Sequence, residues 1–349
     1  MLSVIGRLLG LPISELRLYF LKFSVQHLHG PATITVGDNE AIALCVIKDG
    51  ESLVKAFIDH YLQLGFKHIV FLDNGSIDST PDIIKSHPHT TLVACSKPFS
   101  QYYVIFKNYL IQTFGQGKWC VIADVDEFLA FPGHRSLKDI LEYLDRGQYN
   151  TVCIQMLDLF SRQGLPLPAQ KEEPKQAPKQ NWTLENLQSV FCHYDLNNLD
   201  RRRYVRRFQP KIHPAHRFLY GGIRKTVFGR SCFLTKEAMF LADHSTRLRT
   251  SHLLIRSRPA DFSAVFFHYK FTEDFYTSTA KAVKAENHWR NSAEYKAYWA
   301  VLQANNQQTK LVLYQPSSYK LNKVDDLIEQ AFLFVSTEFA EFLRQGDAA

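Results

Sequence analysis

The 349-residue chain has six cysteines, and no two of them are spaced as C-x-x-C. That removes a zinc ribbon and a thioredoxin-type redox motif. No stretch approaches the roughly 18 uninterrupted apolar residues of a membrane-crossing helix. The apolar N-terminus, MLSVIGRLLGLPISELRLYFLKFSVQHLHG, is interrupted by Arg7, Glu15, Arg17 and Lys22. It has no clear small-residue cleavage site and does not read as a signal peptide. Internal repeats and RNA-binding motifs are also missing. Cys45, Cys120 and Cys153 sit inside apolar runs and read as small core residues. A reduced, cytoplasmic compartment is therefore the simpler expectation.

What is present supports a large core. The chain is 46% hydrophobic and 13% aromatic, which excludes wholesale disorder. Its net charge of +7 favours anionic partners such as phosphates, nucleic acid or an acidic membrane surface, without choosing among them. The segment Leu16 to Leu28 has the spacing of an amphipathic helix. Such a helix either packs on the domain or makes peripheral contact with the inner face of a membrane.

The first half alternates strand and helix patterns. AIALCVI (41–47), HIVFLD (68–73), 92–94, WCVIAD (119–124) and TVCIQML (151–157) read as strands. Helices are expected at 51–65, capped by Gly65, and from Thr80 as N-cap with Pro81 in the first turn. Two more are expected at 102–114 and 136–145. This alternation predicts an α/β fold with a mostly parallel sheet flanked by helices. Ligands on such sheets bind beyond the carboxyl ends of the strands. The segment 162–181, rich in Pro, Gln and Lys, reads as a mobile insertion. Beyond it, RRRYVRRFQPK (201–211) is a basic run, YGGIRKTVFG (220–229) reads as a glycine turn entering a strand, and 263–271 reads as a strand. Helices are expected near 273–287, 292–304 and 323–344.

The acids of WCVIADVDEFLAFP (119–132) follow a buried strand. On an extended segment Asp124 and Asp126 would share one side while Val125 faces the core. Two carboxylates so close repel, and a divalent cation such as Mg²⁺ or Mn²⁺ resolves the repulsion. Such a cation also neutralises a departing diphosphate. D-x-D alone is a weak signal. It gains weight from KDGE (48–51) and LDNGSIDST (72–80), which also follow strands and would line the same crevice.

The ordered set CVIKDGESLVKAFIDHYLQLGFKHIVFLDNGSIDST and WCVIADVDEFLAFP resembles the family 2-like glycosyltransferases of GT-A (Rossmann-like) fold, in a branch that also resembles family 92. The resemblance covers about 40–270, and YGGIRKTVFG and FFHYKF look like that branch's later motifs. Asp49 stands where relatives usually have Asn, and the Pro/Gln/Lys insertion has no counterpart there. The resemblance implies transfer of a sugar, with inversion, from a nucleotide-sugar donor (a UDP-sugar) to a glycan or lipid-linked acceptor hydroxyl, with Mn²⁺ or Mg²⁺ as cofactor and no nucleic-acid partner. It implies Asp126 as metal ligand, with Asp124 touching the ribose or reaching the metal through water. Glu127 would orient the loop or support the ligands. Lys48, Asp49, Asp73 and Asn74 would face the nucleoside, and His268 would be a third metal ligand, with His252 as runner-up. Arg224, beside Lys225, would hold the diphosphate.

The base that takes the acceptor proton is left open between Asp158 and Asp243. Sequons at Asn74 and Asn181 fit a cytoplasmic chain, because glycosylating Asn74 would block the site. The expected organisation is an N-terminal helical segment (1–35), a glycosyltransferase domain (36–271) and a C-terminal helical extension (272–349). The competing readings are a polyanion- or RNA-binding protein, from the basic run, and a glycosyltransferase-like protein without activity.

Overall fold

The computed structural model describes residues 12–168, 181–205, 213–285 and 289–346. In chain order the strands are β1 (Gln26–His29), β2 (Ala41–Ile47), β3 (His68–Asp73), β4 (Thr90–Ala94), β5 (Trp119–Ile122), β6 (Glu127–Ala130), β7 (Thr151–Phe160), β8 (Leu165–Pro166), β9 (His193–Tyr194), β10 (Asp200–Arg203), β11 (Arg217–Tyr220), β12 (Thr235–Leu241), β13 (Pro259–Phe271), β14 (Lys310–Leu311) and β15 (Tyr319–Lys320). The central sheet has the order β1-β4-β3-β2-β5-β12-β7-β13-β6. Strands β2, β3, β4, β5, β7 and β13 point one way; β1, β12 and β6 run against them. The result is a mixed α/β fold with a large, mostly parallel central sheet flanked by helices.

Burial explains the strand sequences. Every residue of AIALCVI, HIVFLD and TVCIQMLDLF is buried, so both faces of the sheet are covered and the runs are continuous rather than alternating. The helix Glu51–Gln63 stops at Leu64, followed by Gly65 at φ +104°, a conformation that favours glycine. Helix Leu137–Arg146 starts from a reciprocal capping box between Ser136 and Asp139.

Several elements differ from expectation. The N-terminal helix ends at Leu21, and Gln26–His29 pairs with β4 instead of continuing it. Thr80 is the first helical residue, not the cap; Asp78 Oδ1 accepts from its N–H and hydroxyl. The 220–229 stretch forms the helix Ile223–Phe228, because Gly221 and Gly222 both take positive φ (94° and 61°) and turn the chain into it. Strands β6 and β12 have no counterpart in the sequence reading. The C-terminal region is divided between helices Asp326–Glu329 and Thr337–Gly346, and in the second Phe339 stacks on Phe262 of β13.

Residues 169–180 of the expected insertion lie outside the described residues, but its edges are built into the fold. Leu165 pairs with β14, and Trp182 is buried with its N–H on Ser52 O. Of the basic run, 201–203 lie in the β10–β11 hairpin, and 206–211 fall outside the described residues. All six cysteines are free thiols. Among the described residues no helix is long and apolar enough to cross a membrane.

Candidate functional site

The strand directions decide which residues meet. The C-terminal ends of β2, β3, β5, β7 and β13 share one edge of the sheet. Antiparallel β12 and β6 bring their N-terminal ends to that same edge. Lys48 and Asp49, Asp73 and Asn74, Asp124, Asp158, His268, Glu127 and Lys236 therefore gather there from widely separated stretches. Asp243 does not. It follows Leu241, which pairs with Trp119 at the opposite edge, and its carboxylate binds Ser245 and Thr246 in a surface loop. The sequence reading that offered Asp243 as a base at this site is thereby corrected.

Residues 124–127 form a tight turn rather than an extended segment. Glu127 N–H donates to Asp124 O at 2.9 Å, and Glu127 Oε2 accepts from Asp124 N–H at 3.1 Å. The turn sends the two aspartates to different partners, so the expectation of a shared cation is not met by their spacing. Asp124 Oδ1 takes Lys107 at 2.7 Å and its Oδ2 takes Lys236 at 3.3 Å. Asp126 Oδ2 lies 3.2 Å from His268 Nε2. Burial works against both carboxylates' charge. The two lysines nevertheless hold Asp124 far below the usual range, and His268 holds Asp126 at about 2.

The segment is pinned from both sides. Tyr61 hydroxyl donates to Glu127 O at 2.9 Å and His60 Nε2 to Leu129 O at 2.8 Å, both from the helix Glu51–Gln63. Tyr269 N–H donates to Asp126 O at 2.8 Å. Glu127 is buried and bonded to Lys236. Burial raises its proton affinity more than Lys236 lowers it.

Lys107 and Lys236 were not singled out from the sequence. Both are almost fully buried, with side chains 4% and 3% exposed. Each interrupts an apolar stretch, VIFKNYLI and FLTKEAMFL. A lysine among buried neighbours needs a carboxylate, and that was the available signal.

Asp158 lies within β7, not just after it. Its carboxylate takes a two-pronged bond from Arg224, Nε to Oδ2 at 2.8 Å and Nη2 to Oδ1 at 2.7 Å, and also contacts His268 Nδ1. Burial opposes its charge, but Arg224 and His268 keep it well below the usual carboxylate range. That is poor chemistry for a general base. Arg224 is itself buried and also reaches Glu294 at 3.4 Å, so its guanidinium is committed inside the protein rather than presented to a diphosphate. His268 lies between Asp126 and Asp158. Burial disfavours its proton, yet the two carboxylates raise its affinity above that of a free imidazole. With both ring nitrogens protonated, each donates to one carboxylate.

The residues expected to face a nucleoside are knitted into loops. Asp73 accepts from the N–H groups of Gly75 and Ser76 and from the Ser76 hydroxyl. Asn74, buried, donates to Cys95 O and Lys97 O. Asp49 takes φ +51°, held by Ser76 Oγ on its N–H and by Ile77 N–H on its Oδ1. Asn tolerates the same conformation. Lys48 and Lys225 are exposed. His252 stacks on Phe233, bonds Thr235 O, and is kept neutral by burial and by Lys236, at about 3.

The ligand atoms of Asp126, Glu127 and His268 lie within 4.8 Å of one another. An oxygen–oxygen–nitrogen set suits Mn²⁺ or Mg²⁺, with Asp126 the most accessible member and Asp124 outside the trio. A cation there would displace the Nε2 proton of His268. No family model matches the chain, and no curated protein matches it.

Proposed function

We propose that the protein transfers a sugar from a nucleotide diphosphate sugar to a hydroxyl of a glycan or lipid-linked acceptor, on a GT-A version of its α/β fold. One observation carries the reading: Asp126, Glu127 and His268 meet at the carboxyl edge of the sheet, the edge at which β2 and β3 also end. Ligand sites of open α/β sheets lie at this edge. Asp126 and His268 would hold Mn²⁺ or Mg²⁺, with Glu127 behind them. When bound, the cation supplies neutralisation of the leaving diphosphate. Lys107 and Lys236 fix Asp124, Arg224 fixes Asp158, and Asp158 orients the His268 ring. The nucleoside would sit against Lys48, Asp49 and the Asp73–Asn74 turn.

Calorimetry with a panel of nucleoside diphosphates and Mn²⁺ tests the reading. Binding of at least one is expected, and failure to bind any removes it. A donor screen read by product mass then identifies the sugar. A second reading, the same fold without turnover, is favoured by the commitment of Asp158 to Arg224 and by the distance of Asp243. Donor hydrolysis or transfer by the wild-type protein excludes it. Exposed Tyr19, Phe20 and Phe23 favour contact between the N-terminal end and a lipid surface.

A further inference from the structure

Among the described residues, the cations buried or half-buried at the carboxylate-bearing edge are, with one exception, paired. Lys107 and Lys236 are on Asp124, Lys236 also on Glu127, and Arg224 on Asp158 and Glu294. His268 is between Asp126 and Asp158. Lys270 is the exception. It is half-buried on β13, two residues beyond His268, where the strand's register against β7 slips by one residue between His268 and Phe271. Between them, Tyr269 N–H fastens the strand to Asp126 O at 2.8 Å.

The Lys270 ammonium lies 4.9 Å from the ring centre of Tyr295 and 5.6 Å from that of Tyr298. No carboxylate among the described residues comes within ion-pair distance of it, and none of its hydrogens has a recorded acceptor there. The nearby Glu294 is already taken by Arg224 and by the Tyr298 hydroxyl.

Aromatic faces attract a cation without neutralising it or accepting its hydrogen bonds. An ammonium partly removed from water with all three donors open is expensive unless something anionic completes it. Arg224 was the expected diphosphate group, but its fork is filled by Asp158.

We propose that Lys270, not Arg224, is the residue that binds the anionic diphosphate of the donor. The proposal rests on the nucleotide-sugar reading above. The Tyr269–Asp126 bond keeps Lys270 close enough to Asp126 for their charges to act on each other, so a diphosphate oxygen would be met by Lys270 and by the Asp126–His268 pair. Arg224 becomes a positioning residue that holds Asp158 against His268.

The test is calorimetry with uridine diphosphate and with inorganic pyrophosphate, each in Mn²⁺, on the wild type, Lys270→Met and Lys270→Arg. Met keeps an apolar stem on the tyrosines, and Arg keeps the charge. The expected result for Lys270→Met is a loss of about tenfold or more in affinity for both ligands, as for one charge-assisted contact. Its thermal midpoint should stay within a few degrees of wild type, and Lys270→Arg should recover most of the affinity. Uridine diphosphate bound equally well by wild type and Lys270→Met overturns the Lys270 assignment and leaves the donor reading standing. Equal losses in the Met and Arg variants also overturn it, because charge would then not be the cause. Pyrophosphate bound through Lys270 with no binding of uridine diphosphate supports the anion site and removes a uridine nucleotide as donor. Binding of neither ligand by the wild type overturns the Lys270 assignment and removes a uridine nucleotide as donor.

Discussion

Lys236 and Glu127 are bonded to each other although β7 and β13 lie between the strands that carry them. The bond ties the acidic turn to the middle of the sheet, and Asp124 shares the same ammonium. Both side chains of the pair are almost completely buried. Removing one partner would leave the other charged and uncompensated, which is where buried pairs have their largest effect.

Lys236→Met should therefore destabilise the protein by about 3–5 kcal/mol, read as a lower urea midpoint. Adding Glu127→Gln should recover part of that loss, because the orphaned charge is gone. An additive double mutant would mean that the two residues are not coupled.

Asp126→Asn should reduce sugar transfer by about a hundredfold or more, because the amide is a much poorer metal ligand. The carboxylate is part-exposed, so the denaturation midpoint should move little. Unchanged turnover would overturn the metal-site assignment.

Arg224→Lys keeps the charge but loses the two-pronged bond to buried Asp158. A destabilisation of about 1–3 kcal/mol is expected. The deciding readout is donor affinity measured under folding conditions. It should fall much less than in Lys270→Met, and a larger fall would return the diphosphate role to Arg224.

Acid should weaken the fold through two buried histidines outside the Asp126–Glu127–His268 cluster. Burial depresses His60 and His216 to about 4, although each ring bonds a backbone carbonyl. In the unfolded chain both titrate near 6.5. Between those values the unfolded state binds more protons, so stability is full above about 6.5 and falls as pH drops towards 4. The loss is roughly 3 kcal/mol per histidine by pH 4. His60→Gln, which keeps a donor for Leu129 O, should flatten this slope, and an unchanged pH profile of the urea midpoint would refute the assignment.

Phe23 is 76% exposed, and Tyr19 makes edge contacts with both Phe20 and Phe23. Co-sedimentation with anionic lipid vesicles should be lost in Phe23→Glu. Equal partitioning of wild type and variant would remove the lipid-surface reading.

The central strands were legible because burial on both faces makes β2, β3, β5, β7 and β13 continuous apolar runs. The acids at their ends were legible because polar groups stand out against such runs. Less visible was the turn at 124–127, whose i-to-i+3 bond depends on β6, a strand of only four residues. Ile223–Phe228 carries β-branched residues that suit a strand, and only the paired positive-φ glycines before it decide for a helix. The counter-charges were hidden for another reason. Lys107 and Lys236 stand out as lysines inside apolar stretches, but which carboxylate each meets is decided by the topology and no local pattern encodes it.

The ionic partners are far apart along the chain: 112 residues for Asp124 and Lys236, 109 for Glu127 and Lys236, and 110 for Asp158 and His268. On the ribosome, at about 5–20 residues per second, the acids emerge roughly 5–20 s before the groups that neutralise them. Until then the first half of the sheet exposes an edge at β5 with carboxylates that have no basic partner from β12 or β13. A fragment ending before residue 236 would contain every acidic motif visible in the sequence, yet lack the strands that assemble them into a site. The acidic turn thus lacks its full set of counter-charges until β13 has been made.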